Sequence, residues 1–331
     1  MTIDSSKTAS PLRWGILGCA RITRRGLAPG ILASNSGTLH ALASRDEAIA
    51  RSWAREFGAA RGYGSYEALL ADPEVQAVYL PLPNELHRPW VFASANAGKH
   101  ILCEKPLALD AFEAAEMVEH CRSRNVVLME AFMWRHQPRT AELRRLLADG
   151  AIGELRLIRS SFSFPIAPED WRLDPSRGGG GALWDVGCYG LSAARLFAGA
   201  EPEAVRSLAH LGPTGVDMTL TAELAFPAGI IGLIDCSFEQ PLRCELELVG
   251  NRGAIRVPDA YLPPDKPTAV LSGIDDEPPR PLTFEGQDQY AAMVDAFAAA
   301  VRAGRLESPA EDGLAQMRAL DAIKAAALLI S

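Results

Sequence analysis

The segment Lys99-His-Ile-Leu-Cys-Glu-Lys-Pro-Leu107 joins a short apolar run to a charged pair and a proline. Residues His100 to Cys103 predict a buried parallel strand, which Pro106 ends because proline has no N–H to donate to a neighbouring strand. Glu104 and Lys105 then stand at the carboxyl end of that strand. Ligands of open parallel sheets bind outside the carboxyl ends of the strands, so this pair favours a functional site over a surface ion pair.

Size and composition are those of a globular chain with no broad basic surface. The 331 residues are enough for two domains, and 48% of them are apolar while 22% are charged. The formal net charge of −8 argues against a nucleic-acid partner and against an anionic membrane surface. No apolar run approaches the roughly 18 residues that a membrane-spanning helix requires.

The cysteines, the histidines and the first ten residues exclude several other classes. Six cysteines are scattered without a C-x-x-C pair, which favours reduced thiols and a cytoplasmic protein. The six histidines show no metal-ligand spacing, so no metal is expected. Residues 1–10 are polar and predict a flexible tail rather than a signal peptide.

The first strand and the turn after it resemble a dinucleotide-binding motif. Leu12 to Gly18 predicts a short strand, and a helix is expected from about Thr23 towards Ser34. The spacing Gly18-x-Ala20-x-x-Thr23 is a degenerate G-x-G-x-x-G, in which a helix N-terminus would face a pyrophosphate. An ordinary strand–helix turn remains the alternative, because two of the three glycines are replaced. The predicted cofactor contacts here are Gly18, Cys19, Ala20, Arg21 and Ile22.

The end of the second strand bears on the choice of cofactor. Residues 38–44 predict this strand, and Ser44-Arg45 follows where an NAD-dependent enzyme would place an acidic residue. A serine hydroxyl and a guanidinium suit the 2′-phosphate of NADP(H). Asp46 could instead serve the ribose of NAD(H), but it is better explained as the residue that opens the next helix. NADP(H) is therefore preferred, and NAD(H) remains possible.

The strand over residues 75–82 ends in further polar residues. Asn84 and His87 follow it, where a nicotinamide ribose would lie, although helix capping would also explain them. The predicted cofactor contacts here are Pro81, Leu82, Asn84 and His87, joined by Glu104 and Lys105. Strands and helices alternate up to residue 130, which predicts a doubly wound parallel sheet and a nucleotide-binding domain over residues 11–130.

The second half has a different period and predicts a second domain over residues 131–331. Runs of alternating polarity between residues 154 and 257 predict an α+β domain with a large, open, mostly antiparallel sheet. One sheet face would be covered by helices, and the other could pair with a second subunit. Residues 259–281 predict a loop or weak strands, and residues 287–302 and 313–330 predict two closing helices.

A glycine run in the second half precedes two groups that can move protons. Four glycines, Gly178 to Gly181, would allow a ligand to approach the backbone closely. Asp185 and Tyr189 lie four positions apart, so a helix would project both from one face. The alternative is a flexible loop followed by a buried tyrosine.

Taken together, these segments resemble the glucose–fructose oxidoreductase / inositol 2-dehydrogenase / MocA-type (Gfo/Idh/MocA) family. Glu104-Lys105-Pro106 is similar to the signature triplet of that family, and residues 179–189 are similar to its second motif in a tyrosine variant. Glu130-Ala-Phe-Met-Trp134 and the Gly18 turn resemble the branch with dimeric dihydrodiol dehydrogenase and NADP-dependent D-xylose dehydrogenase. The resemblance runs from Gly15 to the final helix and departs from the family at the dinucleotide glycines.

The resemblance implies a catalytic group of Lys105, Asp185 and Tyr189. Tyr189 would exchange a proton with the substrate oxygen, Lys105 would lower the pKa of the phenol, and Asp185 would orient Lys105 or the substrate. An alternative makes Lys105 the proton carrier and Tyr189 a positioning group. The residues expected to line a substrate pocket between the domains are Trp134, Arg135, His136, Trp171 and Arg172.

The function implied is NADP-dependent hydride transfer to or from a sugar, a polyol, a cyclic diol or the matching keto-sugar. The resemblance also implies that residues 11–130 form an NAD(P)-binding Rossmann domain. It further implies a homodimer or homotetramer formed through the C-terminal sheet. The alternative function is a regulatory protein of the same fold that binds NADP(H) without turnover.

Overall fold

The computed structural model describes residues 10–273, 278–305 and 308–330. Residues 1–9 of the expected tail lie outside the described residues, as do residues 274–277 of the expected loop. Ser10 is described, and its carbonyl oxygen accepts a hydrogen bond of 3.3 Å from the guanidinium of Arg302.

A parallel sheet of six described strands forms the first half, in the order β3-β2-β1-β4-β5-β6. The chain builds the sheet outward from β1 to β3, and then crosses back to place β4 on the other side of β1. Doubly wound sheets bind ligands in the crevice at such a point. The strands are β1 (Leu12–Leu17), β2 (Gly37–Ala43), β3 (Arg61–Tyr63), β4 (Ala77–Leu80), β5 (His100–Cys103) and β6 (Leu128–Glu130).

Five helices connect these strands, and several begin at the polar residue that the sequence indicates. The Asp46 side chain accepts from the N–H groups of Ala48 and Ile49, and the Asp110 side chain accepts from Glu113. The helices are α1 (Ala28–Ala33), α2 (Glu47–Glu56), α3 (Tyr66–Leu70), α4 (His87–Asn96) and α5 (Ala111–Ser123).

The second sheet has nine described strands and mixed direction, in the order β14-β13-β12-β11-β7-β10-β9-β8-β15. Its pairs are antiparallel except β7 with β10 and β8 with β15. The strands are β7 (Leu155–Ser163), β8 (Ala204–Leu211), β9 (Asp217–Phe226), β10 (Ile230–Ser237), β11 (Arg243–Gly250), β12 (Gly253–Val257), β13 (Thr268–Gly273), β14 (Arg280–Thr283) and β15 (Ala327–Ile330).

Four further helices are α6 (Pro138–Ala148), α7 (Cys188–Ala198), α8 (Gln289–Arg302) and α9 (Ser308–Ala325). Helix α7 covers one face of the second sheet and is buried along most of its length. Helices α8 and α9 return to the first half, where α8 packs on α1 and α9 packs on α5 and β6. The rings of Trp14 in β1 and Phe297 in α8 lie 5.0 Å apart, so the two halves share one apolar core.

The last helix predicted from the sequence extends further than the helix that the structure contains. Residues 313–330 were expected to be helical throughout, but α9 ends at Ala325 and residues 327–330 form β15. The apolar Ala-Leu-Leu-Ile run suits either state, and the free edge of β8 supplies hydrogen-bond partners that favour the strand.

Candidate active site

Lys105 connects the two halves of the molecule. It follows β5, and its ammonium group donates to the Asp185 backbone oxygen at 2.7 Å and to Asp185 Oδ1 at 3.0 Å. Both side chains are largely buried, with 12% of Lys105 and 15% of Asp185 exposed. Desolvated charge–charge hydrogen bonds of this kind hold side chains in fixed positions.

A second cation completes the pairing of Asp185. Arg172 Nε lies 2.9 Å from Asp185 Oδ2, so each carboxylate oxygen faces a different positive group. The same guanidinium lies 3.1 Å from Asp170 Oδ1 and stacks 5.0 Å from the centre of the Trp171 ring. The predicted residues Arg172 and Trp171 are therefore brought to the Lys105–Asp185 pair.

Tyr189 lies beside this pair in an aromatic environment. The Lys105 ammonium is 4.8 Å from the centre of the Tyr189 ring, which is a cation–π distance. The rings of Phe132, Phe162 and Tyr261 lie 5.1 to 5.4 Å from the Tyr189 ring. The Tyr189 hydroxyl donates to Met133 Sδ at 3.7 Å, so its hydrogen-bond partner here is a sulfur atom and not Lys105.

The protonation states follow from burial and from these partners. Burial is the largest single influence on Lys105 and opposes its charged form, but Asp185, Glu104 and Cys188 together outweigh it and the pKa of Lys105 is raised. Burial likewise opposes ionisation of Asp185, but Lys105 and Arg172 outweigh it and the pKa of Asp185 is lowered. The pair is thus an ammonium and a carboxylate at neutral pH.

The expectation that Lys105 lowers the pKa of Tyr189 is wrong. Burial raises that pKa well above its ordinary value, and the negative charge of Glu104 raises it further. The physical reason is geometric, because the ammonium lies over the ring while the hydroxyl lies in an apolar setting. Tyr189 is a neutral phenol in this structure.

A wide helical turn carries Asp185 to its position. Residues Leu183–Gly187 form a π-helical turn that runs directly into α7, where the sequence predicts an ordinary helix. Such turns occur frequently at functional sites. The buried Asp217 caps this turn by accepting from the Leu183 N–H at 2.7 Å, and burial raises the pKa of Asp217 to about 6.

The glycine run is required by close backbone contacts. Gly178 has φ +71° and Gly181 has φ +75°, a region that other residues rarely adopt. A Cβ atom at Gly178 would lie 2.6 Å from the backbone nitrogen of Glu85. The predicted residue Asn84 also reaches this run, because its Nδ2 donates to the Gly178 oxygen at 3.1 Å.

The turn after β1 begins at a glycine whose backbone conformation other residues rarely adopt. Gly18 has φ +133°, and a Cβ atom there would lie 3.2 Å from Leu82 and 3.6 Å from Pro81. Thr23 closes the turn by donating to the Gly18 oxygen at 3.0 Å. The other predicted contacts of this turn are accessible to a ligand, with Arg21 exposed and Cys19, Ala20 and Ile22 half-buried.

The loop after β2 leaves its arginine available. Arg45 is exposed, and it forms no ion pair within the part of the chain that the structure describes. The Ser44 hydroxyl accepts from the Asp46 N–H at 3.2 Å. Asp46 is engaged as the N-cap of α2, as its capping interpretation predicts. This arrangement fits a 2′-phosphate better than a ribose hydroxyl pair.

Two predicted cofactor contacts are held deep in the first half. His87 is fully buried, and its ring nitrogens face the backbone oxygens of Leu82 at 2.9 Å and of Pro106 at 3.1 Å. Burial lowers the pKa of this imidazole. Glu104 accepts a hydrogen bond from the hydroxyl of the buried Tyr79. Both residues hold the loops around Lys105, and their contact with a cofactor stays a prediction.

The remaining predicted pocket residues are packed or paired elsewhere. Trp134 is only 2% exposed and lies 5.4 Å, ring to ring, from Tyr261. Arg135 forms an ion pair with Asp312 in α9. His136 is half-buried, and burial lowers its pKa to about 4. No contact among the described residues joins these three to Lys105, and their role in binding substrate stays a prediction.

Comparison with known proteins agrees with this architecture. A family model described as an oxidoreductase family with an NAD-binding Rossmann fold matches residues 12–132. A second model, the GFO/IDH/MocA C-terminal domain, matches residues 140–256. A D-xylose 1-dehydrogenase (NADP(+)) of Haloferax volcanii is 39% identical over 94% of this chain and 96% of its own length. This chain belongs to the GFO/IDH/MocA oxidoreductase family.

Other members of the GFO/IDH/MocA family show how far the likeness extends. A trans-1,2-dihydrobenzene-1,2-diol dehydrogenase of Mus musculus is 34% identical over 82% of this chain and 81% of its own length. The crystal structure of a 3-ketoreductase from Actinomadura kijaniata, in complex with NADP and TDP-benzene, superposes with a TM-score of 0.90. That structure shares 33% identity and covers 97% of this chain and 99% of its own. The branch expected from the sequence motifs is therefore confirmed.

Sequence reasoning missed several polar residues around the site of this GFO/IDH/MocA chain. The buried Asp217 bonds to the turn that carries Asp185. The buried Tyr79 bonds to Glu104. The buried Glu130 bonds to the loop that carries Lys105. Each is a polar residue inside or beside an apolar strand run, and that was the available signal. The bonding partners could not be read from the sequence because they are distant in the chain.

Metal clusters and membrane-spanning helices are both absent from the described residues. No group of three or more His, Cys, Asp or Glu side chains among them is arranged to hold a metal ion. No helix in the described ranges has the length and apolar character needed to span a bilayer.

Proposed function

We propose that this oxidoreductase transfers a hydride between NADP(H) and a CH–OH group of a sugar, polyol or cyclic diol, or the matching keto-sugar. The observation that carries this proposal is the convergence of Lys105 from the first half with Asp185 and Tyr189 from the second. The site also lies at the carboxyl edge of the parallel sheet, where this fold class binds dinucleotides.

One relative supports two of these residues, Lys105 and Tyr189. Structures of the 3-ketoreductase also include one in which a lysine is replaced and one in which a tyrosine is replaced, both with NADP and TDP-benzene. Along the chain of that protein, these two residues are separated by the same number of positions as Lys105 and Tyr189. This spacing supports the assignment of Lys105 and Tyr189 to the reaction.

The first half, residues 11–130, is proposed to bind NADP(H), and residues 131–331 the substrate. The Gly18 turn would hold the pyrophosphate through backbone N–H groups, and Ser44 with Arg45 would hold the 2′-phosphate. When bound, NADP(H) supplies or accepts the hydride. The open turn at Gly18 and the accessible guanidinium of Arg45 fit this assignment.

The proton would be carried by Tyr189 or by Lys105, and both groups hold a proton at neutral pH. Either can therefore donate to the carbonyl oxygen of a keto-substrate during reduction. In the primary assignment the phenol of Tyr189 donates the proton, and Lys105 and Asp185 assist from the neighbouring positions. In the alternative the ammonium donates and the Tyr189 ring positions it at 4.8 Å.

The local charges favour an uncharged group at the reacting end of the substrate. Lys105 and Arg172 both bond to Asp185, and Arg172 also bonds to Asp170. These two cations are therefore already neutralised and would offer little to a phosphate group. A sugar, polyol or diol hydroxyl can instead accept from or donate to these charged groups without displacing the pairs.

A homodimer or homotetramer is proposed to form through the second sheet. Leu208, Ile231 and Leu328 are exposed on β8, β10 and β15, respectively, and a second copy could cover them. Sedimentation velocity would show a monomer if this proposal is wrong.

All six cysteines are free thiols, which supports the proposed location in the cytoplasm.

The function is tested by binding and turnover measured separately. NADPH fluorescence should respond to the protein, and a panel of D-xylose, D-glucose, trans-diols and keto-sugars should reveal turnover with NADP(H). Binding of NADPH without turnover on any member of the panel would favour the regulatory alternative. A panel member that carries a nucleoside diphosphate tests the argument from local charge.

A further inference from the structure

Two buried polar residues, Glu130 beside α9 and Gln316 within it, bond to the backbone of the segments that carry Lys105 and Tyr189. At one end, Glu130 accepts from the Leu107 N–H at 3.0 Å, two residues after Lys105. Glu130 is 6% exposed and ends β6. It lies directly beside the loop of residues 104–110, which follows β5 and is called the Lys105 loop below. Its second oxygen, Oε2, is buried and has no hydrogen-bond partner among the described residues.

At the other end, Gln316 of α9 holds the start of α7. Gln316 is 1% exposed, and its Nε2 donates to the Cys188 backbone oxygen at 2.8 Å. Cys188 directly precedes Tyr189, so this bond limits the position of the tyrosine. The oxygen of Gln316 accepts from Arg195 Nη1 at 2.9 Å.

Helix α9 joins the two ends. Arg195 also lies 3.2 Å from Asp312 Oδ1, and Asp312 pairs with Arg135, which follows β6. Gly313 permits this packing, because a Cβ atom there would lie 2.9 Å from the Leu107 side chain and 3.6 Å from Glu130 Cβ. One face of α9 thus contacts the Lys105 loop and the start of α7 at the same time.

We infer that Glu130 and Gln316 are positioning residues that set the placement of Lys105 against Tyr189 for the hydride-transfer reaction. The inference rests on the proposed function. Neither residue contacts the reacting groups directly, and each acts through the backbone of the segment that carries one of them. A displacement of about 1 Å between groups that act together can reduce a rate roughly 100-fold.

The neutral form of Glu130 is sufficient for this role. A carboxylic acid or a carboxamide keeps an oxygen that accepts from the Leu107 N–H. Burial and the facing Asp312 raise the pKa of Glu130 to about 8, while the facing Arg135 and Arg195 oppose this rise. Glu130→Gln should therefore preserve the position of the loop, whereas Glu130→Leu should release it.

The test compares kcat, KM and NADPH affinity in Glu130→Leu, Gln316→Met and Glu130→Gln. We expect kcat to fall roughly 10- to 100-fold in the first two variants, with KM and NADPH affinity changed less than about threefold. Glu130→Gln should stay within about threefold of the parent in all three quantities. Glu311→Gln, an exposed change on the same helix, is the control and should leave them unchanged.

Crystal structures of the same variants give a readout that does not depend on turnover. The distance of 4.8 Å between the Lys105 ammonium and the Tyr189 ring should increase in Glu130→Leu and Gln316→Met. If the parent turns over no substrate, the proposed function fails and these distances alone decide the inference. An unchanged distance together with unchanged kcat in an active parent would overturn it.

A variant that does not fold is replaced by a milder one. Glu130→Asp keeps the carboxyl group but shortens the side chain by one methylene, so its bond to the Leu107 N–H should be lost with little change in volume. A lower kcat with unchanged NADPH affinity in Glu130→Asp supports the inference, and parental kcat contradicts it.

Discussion

The ammonium group of Lys105 lies over the ring of Tyr189, 4.8 Å from the ring centre, and makes no hydrogen bond to its hydroxyl. The hydroxyl faces Met133 Sδ instead. An ammonium in this position does little to stabilise a phenolate oxygen, and burial keeps the phenol protonated. The geometry therefore places two proton-bearing groups side by side, and their roles can be separated by substitution.

Replacing Tyr189 by Phe removes the phenol but leaves the ring on which the Lys105 ammonium lies. If Tyr189 carries the proton, kcat should fall roughly 10²- to 10⁴-fold, as is usual for a lost general acid. NADPH binding should stay close to that of the parent. Lys105→Met is the partner variant, and it tests the alternative carrier. Near-normal hydride transfer in Tyr189→Phe, with loss in Lys105→Met, would assign the proton to Lys105.

The two reaction directions should differ in their dependence on pH. Both candidate carriers have raised pKa values, so both can donate a proton at neutral pH but accept one only when deprotonated. Reduction should be nearly constant around neutral pH, while oxidation should accelerate as the pH rises towards about 10. Initial rates in both directions check this. A maximum of oxidation near pH 6 would contradict a protonated Lys105 and a neutral Tyr189 phenol.

Asp185→Asn should move the oxidation profile to lower pH. The negative charge of Asp185 raises the pKa of Lys105 and also contributes to the raised pKa of Tyr189. Removing that charge makes either carrier easier to deprotonate, so the alkaline rise should begin earlier. The pH dependence of kcat for the parent and the variant measures the shift. A profile that does not move would show that Asp185 does not influence the proton carrier.

Arg45→Ala should weaken NADP(H) selectively. A guanidinium bonded to a 2′-phosphate contributes enough that its loss should raise the KM for NADP(H) roughly 10- to 100-fold. The KM for NAD(H), which has no 2′-phosphate, should change little. Asp46→Ser is a matched control, since serine keeps the helix cap and removes the neighbouring charge. A large gain in preference for either cofactor in Asp46→Ser would contradict its assignment as a cap.

Glu130→Gln should make the chain more stable at alkaline pH. The unfolded carboxyl loses its proton near its ordinary pKa of 4.5, whereas burial raises the pKa of Glu130 to about 8 in the folded chain. Between these values the folded chain keeps a proton that the unfolded chain releases, so the free energy of unfolding falls as pH rises. Removing this titration should stabilise the variant over the parent by roughly 1–4 kcal/mol at pH 8.

Chemical denaturation of parent and Glu130→Gln at pH 5 and at pH 8 measures this difference. The gain should be larger at pH 8, because the parent carries the penalty of the buried carboxyl there. Glu311→Gln is exposed and should show no comparable change with pH. An equal gain at both pH values would show that Glu130 does not titrate in this range.

Most of the fold was predictable from local patterns. Gly18, which must adopt φ +133°, and Asp46, which caps α2, are local requirements that a sequence displays directly. The alternation of strands and helices up to residue 130 likewise predicts the parallel sheet that is observed. Residues 327–330 were expected to be helical, because an apolar run suits a helix until a neighbouring strand edge is available.

The sequence alone determined which residue types stand at the carboxyl ends of the strands, and therefore which chemistry the chain can host. Only the tertiary structure decided how Lys105 meets Asp185 and Tyr189, because the Lys105–Asp185 contact joins residues 80 positions apart. The pKa of the Tyr189 phenol and the backbone contacts of Glu130 and Gln316 were decided in the same way. Helix periods and capping bonds act over a few residues, whereas burial, charge and long-range hydrogen bonds act between whatever residues the packed core brings together.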